Sequence, residues 1–257
     1  MIKNITTVAI VEDQSLVREG IKHSLMHLDA KLSILTFNDA EKLIEEITKQ
    51  RDIENRKARR VERIKSLGLI AQVPPKFKTA TFETYIADSA NEKQAKSKCQ
   101  NFADKFLSLK DEGMGGIILY GNVGTGKTHL AISIIKSVVR NHFQCCRYVN
   151  VFDLIGEIRS TWGNYDKHES EVIKKFCQYD LLVIDEIGVQ FGNKAEKVSL
   201  FQIMNQRYNF KLPTILISNL NEAGIIDCIG EPLVDRVFDR NGGMLKFTGE
   251  SKRRCVY

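Results

Sequence analysis
The sequence has no run approaching the roughly 20 apolar residues that a helix needs to cross a bilayer. Its amino terminus lacks a basic stretch followed by an apolar segment of signal-peptide type. A cytoplasmic protein with no membrane partner is expected. The six cysteines, Cys99, Cys145, Cys146, Cys177, Cys228 and Cys255, form no CxxC pair and no metal-ligand spacing. That excludes a zinc module and points to reduced structural thiols. Internal repeats and low-complexity tracts are missing too. With 43% hydrophobic and 27% charged residues, the composition is that of an ordinary globular protein and not a disordered one.

Charge excess is confined to one place. The net charge is +6, yet residues 49–78 hold ten Lys or Arg against three acids, so the remainder is close to neutral. A length of 257 residues accommodates a medium domain and an appendage. Residues 74–80, PPKFKTA, carry two prolines that oppose helix and lysines that keep the stretch wet. They read as a linker between an amino-terminal module, 1–73, and a larger domain, 81–257. Ahead of the linker, EKLIEEITKQRDIENRKARRVERIKSLG reads as one long polar helix ended by Gly68.

Short apolar runs recur from about residue 115: GGIILY (115–120), CRYVNV (146–151), YDLLVI (179–184), PTILI (213–217) and MLKF (244–247). They are continuous, not alternating, and are separated by helix-length segments. This is the pattern of a five-stranded parallel sheet buried on both faces between helices, an α/β fold. Leu130, Ile134 and Val138 share one helical face, and Val198, Phe201 and Met204 or Asn205 are expected to share another.

GNVGTGKT, residues 121–128, fits the phosphate-binding pattern G-x-x-x-x-G-K-[ST] between a predicted strand and a predicted helix. Gly121, Gly124 and Gly126 let backbone N–H groups turn inward around phosphate oxygens at the positive end of the following helix. The nucleotide contacts expected are Gly121, Asn122, Val123, Gly124, Thr125, Gly126, Lys127, Thr128 and His129. Lys127 would reach the β- and γ-phosphates of ATP, and the Thr128 hydroxyl would ligate Mg²⁺.

The run LLVIDEIGVQ (181–190) ends an apolar strand in two carboxylates. A phosphate-binding loop needs a carboxylate on a neighbouring strand to hold Mg²⁺, largely through water. Asp185 suits that role. Glu186 is placed to orient and deprotonate the attacking water. Asn219, after PTILIS, would fall between the two and meet the γ-phosphate or the water.

YDLLVIDEIGVQ, GNVGTGKTHLA, TFETY (81–85) and LVDRVFDR (233–240) together resemble the AAA+ helicase loaders of the DnaC type, over residues 77–257 and more loosely over 35–76. The resemblance implies an AAA+ core with Asn219 as sensor I. It also implies Arg236 as an arginine finger acting on a neighbouring subunit, with Arg240 as the competing candidate. The family tail reads Ser-Tyr-Arg where this chain has Ser251, Lys252 and Arg253, which makes Arg253 the sensor II choice over Arg254. Single-stranded DNA contacts are implied at 158–166 and 188–196, through Trp162, Asn193 and Lys194, with Phe191 and Arg159 as substitutes for a missing aromatic at Ala195.

Residues 8–44 look like the opening of a response-regulator receiver, but the charged helix 49–65 stands where the phosphorylated strand belongs. A partner-docking module is the expected reading, with Leu25, Leu28, Leu43, Ile44 and Ile47 as its apolar face. What the resemblance implies is an ATP-dependent loader of a replicative hexameric helicase that self-associates into a spiral when ATP-bound. An IstB-type transposition helper is the alternative within the family. A non-catalytic regulatory protein with a receiver-like head is the alternative outside it.

Overall fold
The computed structural model describes residues 7–11, 33–37, 40–163, 168–188, 194–238 and 242–252, which form two compact units, Met1–Glu62 and Arg63–Tyr257. In the first unit, β1 (Thr7–Val11) and β2 (Ser33–Phe37) pair in parallel. Helix α1 (Ala40–Ile70) begins in that unit and ends in the second. Leu25 and Leu28, and the side chains of Leu43, Ile44 and Ile47, lie outside the described residues.

The long polar helix does not stop at Gly68. It runs to Ile70, and Gly68 faces open space. The chain turns at Gln72, where φ is +49°, because the helix end is pinned to a sheet edge. The Tyr148 N–H donates to the Ala71 carbonyl at 2.9 Å, and the Arg147 guanidinium donates to the Ile70 carbonyl at 3.3 Å.

Segment 74–80, expected as a linker, lies within the second unit. It makes a 3₁₀ turn over Pro75–Phe77. The Lys136 ammonium donates to the carbonyls of Phe77, Lys78 and Ala80 at 2.9, 2.7 and 2.8 Å. Burial pushes the Lys136 pKa down.

The second unit continues with α2 (Ala90–Asp104), α3 (Phe106–Glu112), β3 (Gly116–Gly121), α4 (Lys127–His142), β4 (Cys146–Asn150), α5 (Val151–Arg159), α6 (Glu169–Phe176), β5 (Leu181–Ile187), α7 (Lys194–Asn209), β6 (Thr214–Ser218), α8 (Glu222–Ile229), α9 (Glu231–Phe238) and β7 (Gly243–Phe247). The five expected strands all form, in one parallel sheet of order β4-β5-β6-β3-β7. Alternate side chains feed two separate cores. Leu119, Val183 and Ile217 join Leu130 and Ile134 of α4 on one face. Ile118, Ile184 and Leu216 join Leu154, Ile203 and Leu233 on the other. Burial on both faces is what makes the strands continuously apolar.

Helix α7 corrects one expectation. Its buried face is Ser199, Leu200, Ile203, Met204 and Arg207, while Val198 is exposed and Phe201 half-buried. Polar residues hide the pattern because each finds a hydrogen-bond partner within the protein. Arg207, wholly buried, donates to the carbonyls of Phe176, Tyr179 and Pro213 and to the Thr214 hydroxyl. Such complete satisfaction is what lets a guanidinium sit in a core. Burial still brings its pKa down to about 10. Cys99, Cys145, Cys146, Cys177 and Cys228 are unbridged, as expected; Cys255 lies outside the described residues.

Candidate nucleotide site
β3 hands the chain to the loop at Gly121, where φ is +118°; Gly124 and Gly126 follow at +81° and +89°. Space is as restrictive as torsion. A Cβ on Gly121 would stand 2.3 Å from the Phe247 carbonyl oxygen, and one on Gly126 2.5 Å from the Tyr85 ring. Gly126 caps α4 without any side chain, which leaves the first N–H groups of that helix for an anion. Within the loop the Thr125 hydroxyl donates to the Asn122 carbonyl at 2.8 Å, and Val123 stands exposed. Lys127 turns inward: its ammonium donates to the carbonyls of Gly121 and Asn122 at 2.8 and 2.6 Å.

Asp185 comes to this loop from β5, two strands away from β3. Its Oδ2 accepts the Thr128 hydroxyl at 2.9 Å and the Tyr148 phenol at 2.8 Å, and its Oδ1 accepts the Glu186 N–H at 2.7 Å. Burial, and then the neighbouring Asp185 charge, push the Tyr148 pKa up, so the phenol stays a donor. Pairing along β5 and β6 goes from Ile184↔Leu216 to Ile187↔Ser218, which leaves one extra residue on β5, a bulge. Glu186 sits in it at φ +64°, exposed, accepting from the Asn150 amide. The bulge separates two adjacent carboxylates: Asp185 turns in toward Thr128, and Glu186 stays at the mouth.

These groups line a cleft of about 620 Å³ that runs to a wall formed by Pro74, Phe77, Tyr85 and Ile86. Asn219 lines it too, just past β6, which lies between β5 and β3. The His129 ring holds the wall in place: Nε2 is 2.8 Å from the Thr81 carbonyl, and the ring meets Tyr85 edge-on at 5.5 Å. A carboxy-terminal arm closes one side. The Asn122 amide donates to the Gly249 carbonyl and the Lys252 N–H donates to the Gly124 carbonyl, both at 3.1 Å. The Lys252 ammonium pairs with Glu92 at 2.9 Å, reaches the Ile86 carbonyl and sits 5.1 Å from the centre of the Tyr85 ring. Burial works to raise the Glu92 pKa, but bonds from the Ser89 and Asp88 N–H groups, together with Lys252, hold it at about 2.

The remaining expected residues stand apart from the cleft. Arg236 on α9 stacks its guanidinium over Phe201 and Tyr208, at 5.0 and 5.8 Å from the ring centres. Trp162, just past α5, is 41% exposed, and Lys194 is exposed at the start of α7. Arg159 pairs with the buried Glu196 and so ties these two regions together. Asn193, Phe191, Arg240, Arg253 and Arg254 lie outside the described residues.

The donor set fits a nucleotide phosphate and Mg²⁺. Three left-handed glycines open the loop, one ammonium faces inward, and a hydroxyl and a carboxylate converge as hard oxygen ligands. Among the described residues no group of three His, Cys, Asp or Glu gathers to hold a metal. A cation held by so few protein oxygens keeps most of its water, which suits Mg²⁺. Sequence reading did not find Tyr148, Asn150, Glu92 or the role of Lys252. The signal for the first two was the β4–β5 register, Asn150↔Asp185, which no local motif encodes.

Comparison with known proteins adds identity to geometry. The model of the family described as IstB-like ATP binding protein matches residues 15–254. A replicative helicase loader DnaC of Buchnera aphidicola is 31% identical over 202 residues, covering 78% of this chain and 79% of that protein. The Escherichia coli K12 loader of the same name is 30% identical over 184 residues, 72% of this chain and 73% of its own. Among solved structures, one described as the DnaC helicase loader superimposes with a TM-score of 0.60 at 20% identity, over 68% of this chain and all of that one.

Proposed function
The chain belongs to the family of IstB-like ATP-binding proteins, and from that footing we propose that it hydrolyses ATP to control the loading of a replicative hexameric helicase onto single-stranded DNA. The observation that carries the ATPase half is the convergence of Thr128 on Asp185 at 2.9 Å, with Glu186 one residue on at the mouth of the same cleft. ATP and Mg²⁺ supply the reactive phosphoryl group and the neutralising charge there. Lys127 binds the phosphates, Thr128 and Asp185 orient the metal's oxygen shell, Asn219 positions the water and Glu186 takes its proton. Arg236 lies away from its own cleft and acts on the next subunit of an ATP-bound spiral, where an arginine stabilises the transferring phosphoryl charge. Trp162, Asn193 and Lys194 meet the bases and phosphates of the strand, and Arg253 serves the nucleotide as sensor II.

Support for the helicase half comes from the relatives, two of which carry the name of replicative helicase loader. The same support weighs against a transposition helper. The amino-terminal module, residues 1–73, docks the helicase. The test measures ATP turnover with and without single-stranded DNA, for the wild type and Glu186→Gln, beside co-purification with a DnaB-type hexamer or a transposase. Turnover that Glu186→Gln abolishes, together with capture of the hexamer, is expected. No turnover in any condition would leave only a binding role, and capture of a transposase would replace the helicase reading.

A further inference from the structure
The basic stretch that holds the charge excess of the sequence takes no part in the cleft chemistry. In α1, every residue from 51 to 63 is exposed. On a helix turning about 100° per residue, Arg56, Arg59, Arg60 and Arg63 fall within one arc of about 100°, and Lys49 joins them two turns earlier. Glu54 and Glu62 fall on the opposite side; Asp52 is the one acid within the arc. The stripe is about 21 Å long at 1.5 Å per residue.

Three features separate this stripe from an ordinary solvated helix. First, a solvated helix gains from opposite charges three and four residues apart; Asp52 stands at such spacing from Lys49 and Arg56, and Glu62 from Arg59, but the pairs 56–59, 56–60, 59–63 and 60–63 are all Arg–Arg. The four arginines outnumber the acids on this face, and a polyanion lying along the helix would neutralise the excess. Second, the cations from 56 to 63 on this face are arginines without exception, and the guanidinium fork matches phosphate oxygens two at a time. Arg63, at the end of the stripe, rests on the Phe143 ring at 5.6 Å. Third, a membrane-surface helix needs a broad apolar face, and between 49 and 63 the only large apolar residues are Ile53 and Val61.

We propose that Arg56, Arg59 and Arg60, with Lys49, form a binding surface for the sugar–phosphate backbone of single-stranded DNA, distinct from the nucleotide cleft and from the region of Trp162. The surface is independent of ATP hydrolysis; only the choice of single strand over duplex rests on the function proposed above. It reads charge and not base identity, so its contribution falls steeply with salt.

The test is fluorescence anisotropy of a labelled oligothymidylate against the full-length chain over a range of salt concentrations. The wild type is compared with the triple variant Arg56→Gln, Arg59→Gln, Arg60→Gln. Glutamine is a good helix former, so far-UV circular dichroism and ATP turnover should both stay at wild-type values. Binding by the variant is expected to weaken at least tenfold at low salt. The slope of log affinity against log salt should flatten by about 2, from about 0.7 per lost phosphate contact on a single strand. Equal affinity and equal slope in the two proteins would overturn the proposal. So would tighter binding to phosphatidylserine vesicles than to DNA, or a duplex of the same length binding as well as the single strand. ATP turnover is read separately, so loss of the ATPase reading would leave this result standing.

Discussion
Tyr148 and Thr128 donate to one and the same oxygen, Asp185 Oδ2, at 2.8 and 2.9 Å. The phenol is the outer of the two partners. It belongs to β4, on the far side of β5 from the phosphate-binding loop, and fixes the carboxylate from behind. Outer-shell hydrogen bonds of this kind tune metal affinity by roughly 10–100-fold. Tyr148→Phe should therefore raise the Mg²⁺ concentration for half-maximal ATP turnover by about tenfold while leaving turnover at saturating Mg²⁺ nearly intact. A Mg²⁺ titration of the variant reads both numbers.

Glu186 and Lys127 should fail in different ways. Glu186→Gln keeps the shape of the exposed side chain at the cleft mouth and removes its basicity, so ATP binding persists while turnover falls by about 10²–10⁴. Lys127→Ala removes the inward ammonium that the loop carbonyls hold and should lose nucleotide binding itself. Equilibrium binding of a fluorescent ATP analogue, set beside steady-state turnover, separates the two.

The Glu92–Lys252 contact has a pH signature. Glu92 is held at about 2, below its ordinary 4.5, so folding favours its charged form. The stability it contributes is fully present above about 4.5 and disappears as pH falls toward 2. Glu92→Gln should be less stable than the wild type at pH 7, and the gap should close as pH falls through that window. Urea unfolding at pH 7, 4 and 3 checks the trend. Lys252→Met removes the ammonium that holds the depressed pKa, so its gap from the wild type should shrink over the same range.

Arg207 tests the core beneath the site. Its replacement by alanine strips donors from three buried carbonyls and the Thr214 hydroxyl. Each buried acceptor left unmet costs about 1–3 kcal/mol. Arg207→Ala should lose about 3 kcal/mol or more of stability by chemical denaturation, and Arg207→Lys should recover only part of it, because one ammonium does not span the same four acceptors.

What the sequence disclosed was whatever is local. Strands buried on both faces spell themselves out as unbroken apolar runs, and the phosphate loop is eight consecutive residues. What it hid depends on register and on partners far along the chain. Tyr148 and Asn150 meet Asp185 and Glu186 only because β4 pairs with β5 at Asn150↔Asp185. The face of α7 was misread because Arg207 and Ser199 look like surface residues until their distant partners, Phe176 and Glu169 among them, are in place. The two prolines of 74–80 gave no hint that Lys136 would collect three carbonyls from that segment.

The bulge at Glu186 is a residue that the sheet itself does not require. Ile184 and Ile187 point into the same core although three positions separate them, which unbroken alternation would forbid. Deleting Glu186 would restore unbroken alternation and leave Ile187 opposite Ser218 in the same core, with the Ile187 carbonyl still in reach of the Ser218 hydroxyl that donates to it at 2.6 Å. A lineage can therefore exchange the side chain at 186 and keep the scaffold. Shortening the strand by that residue would spare the sheet and cost the site, because the bulge is what turns Asp185 and Glu186 apart.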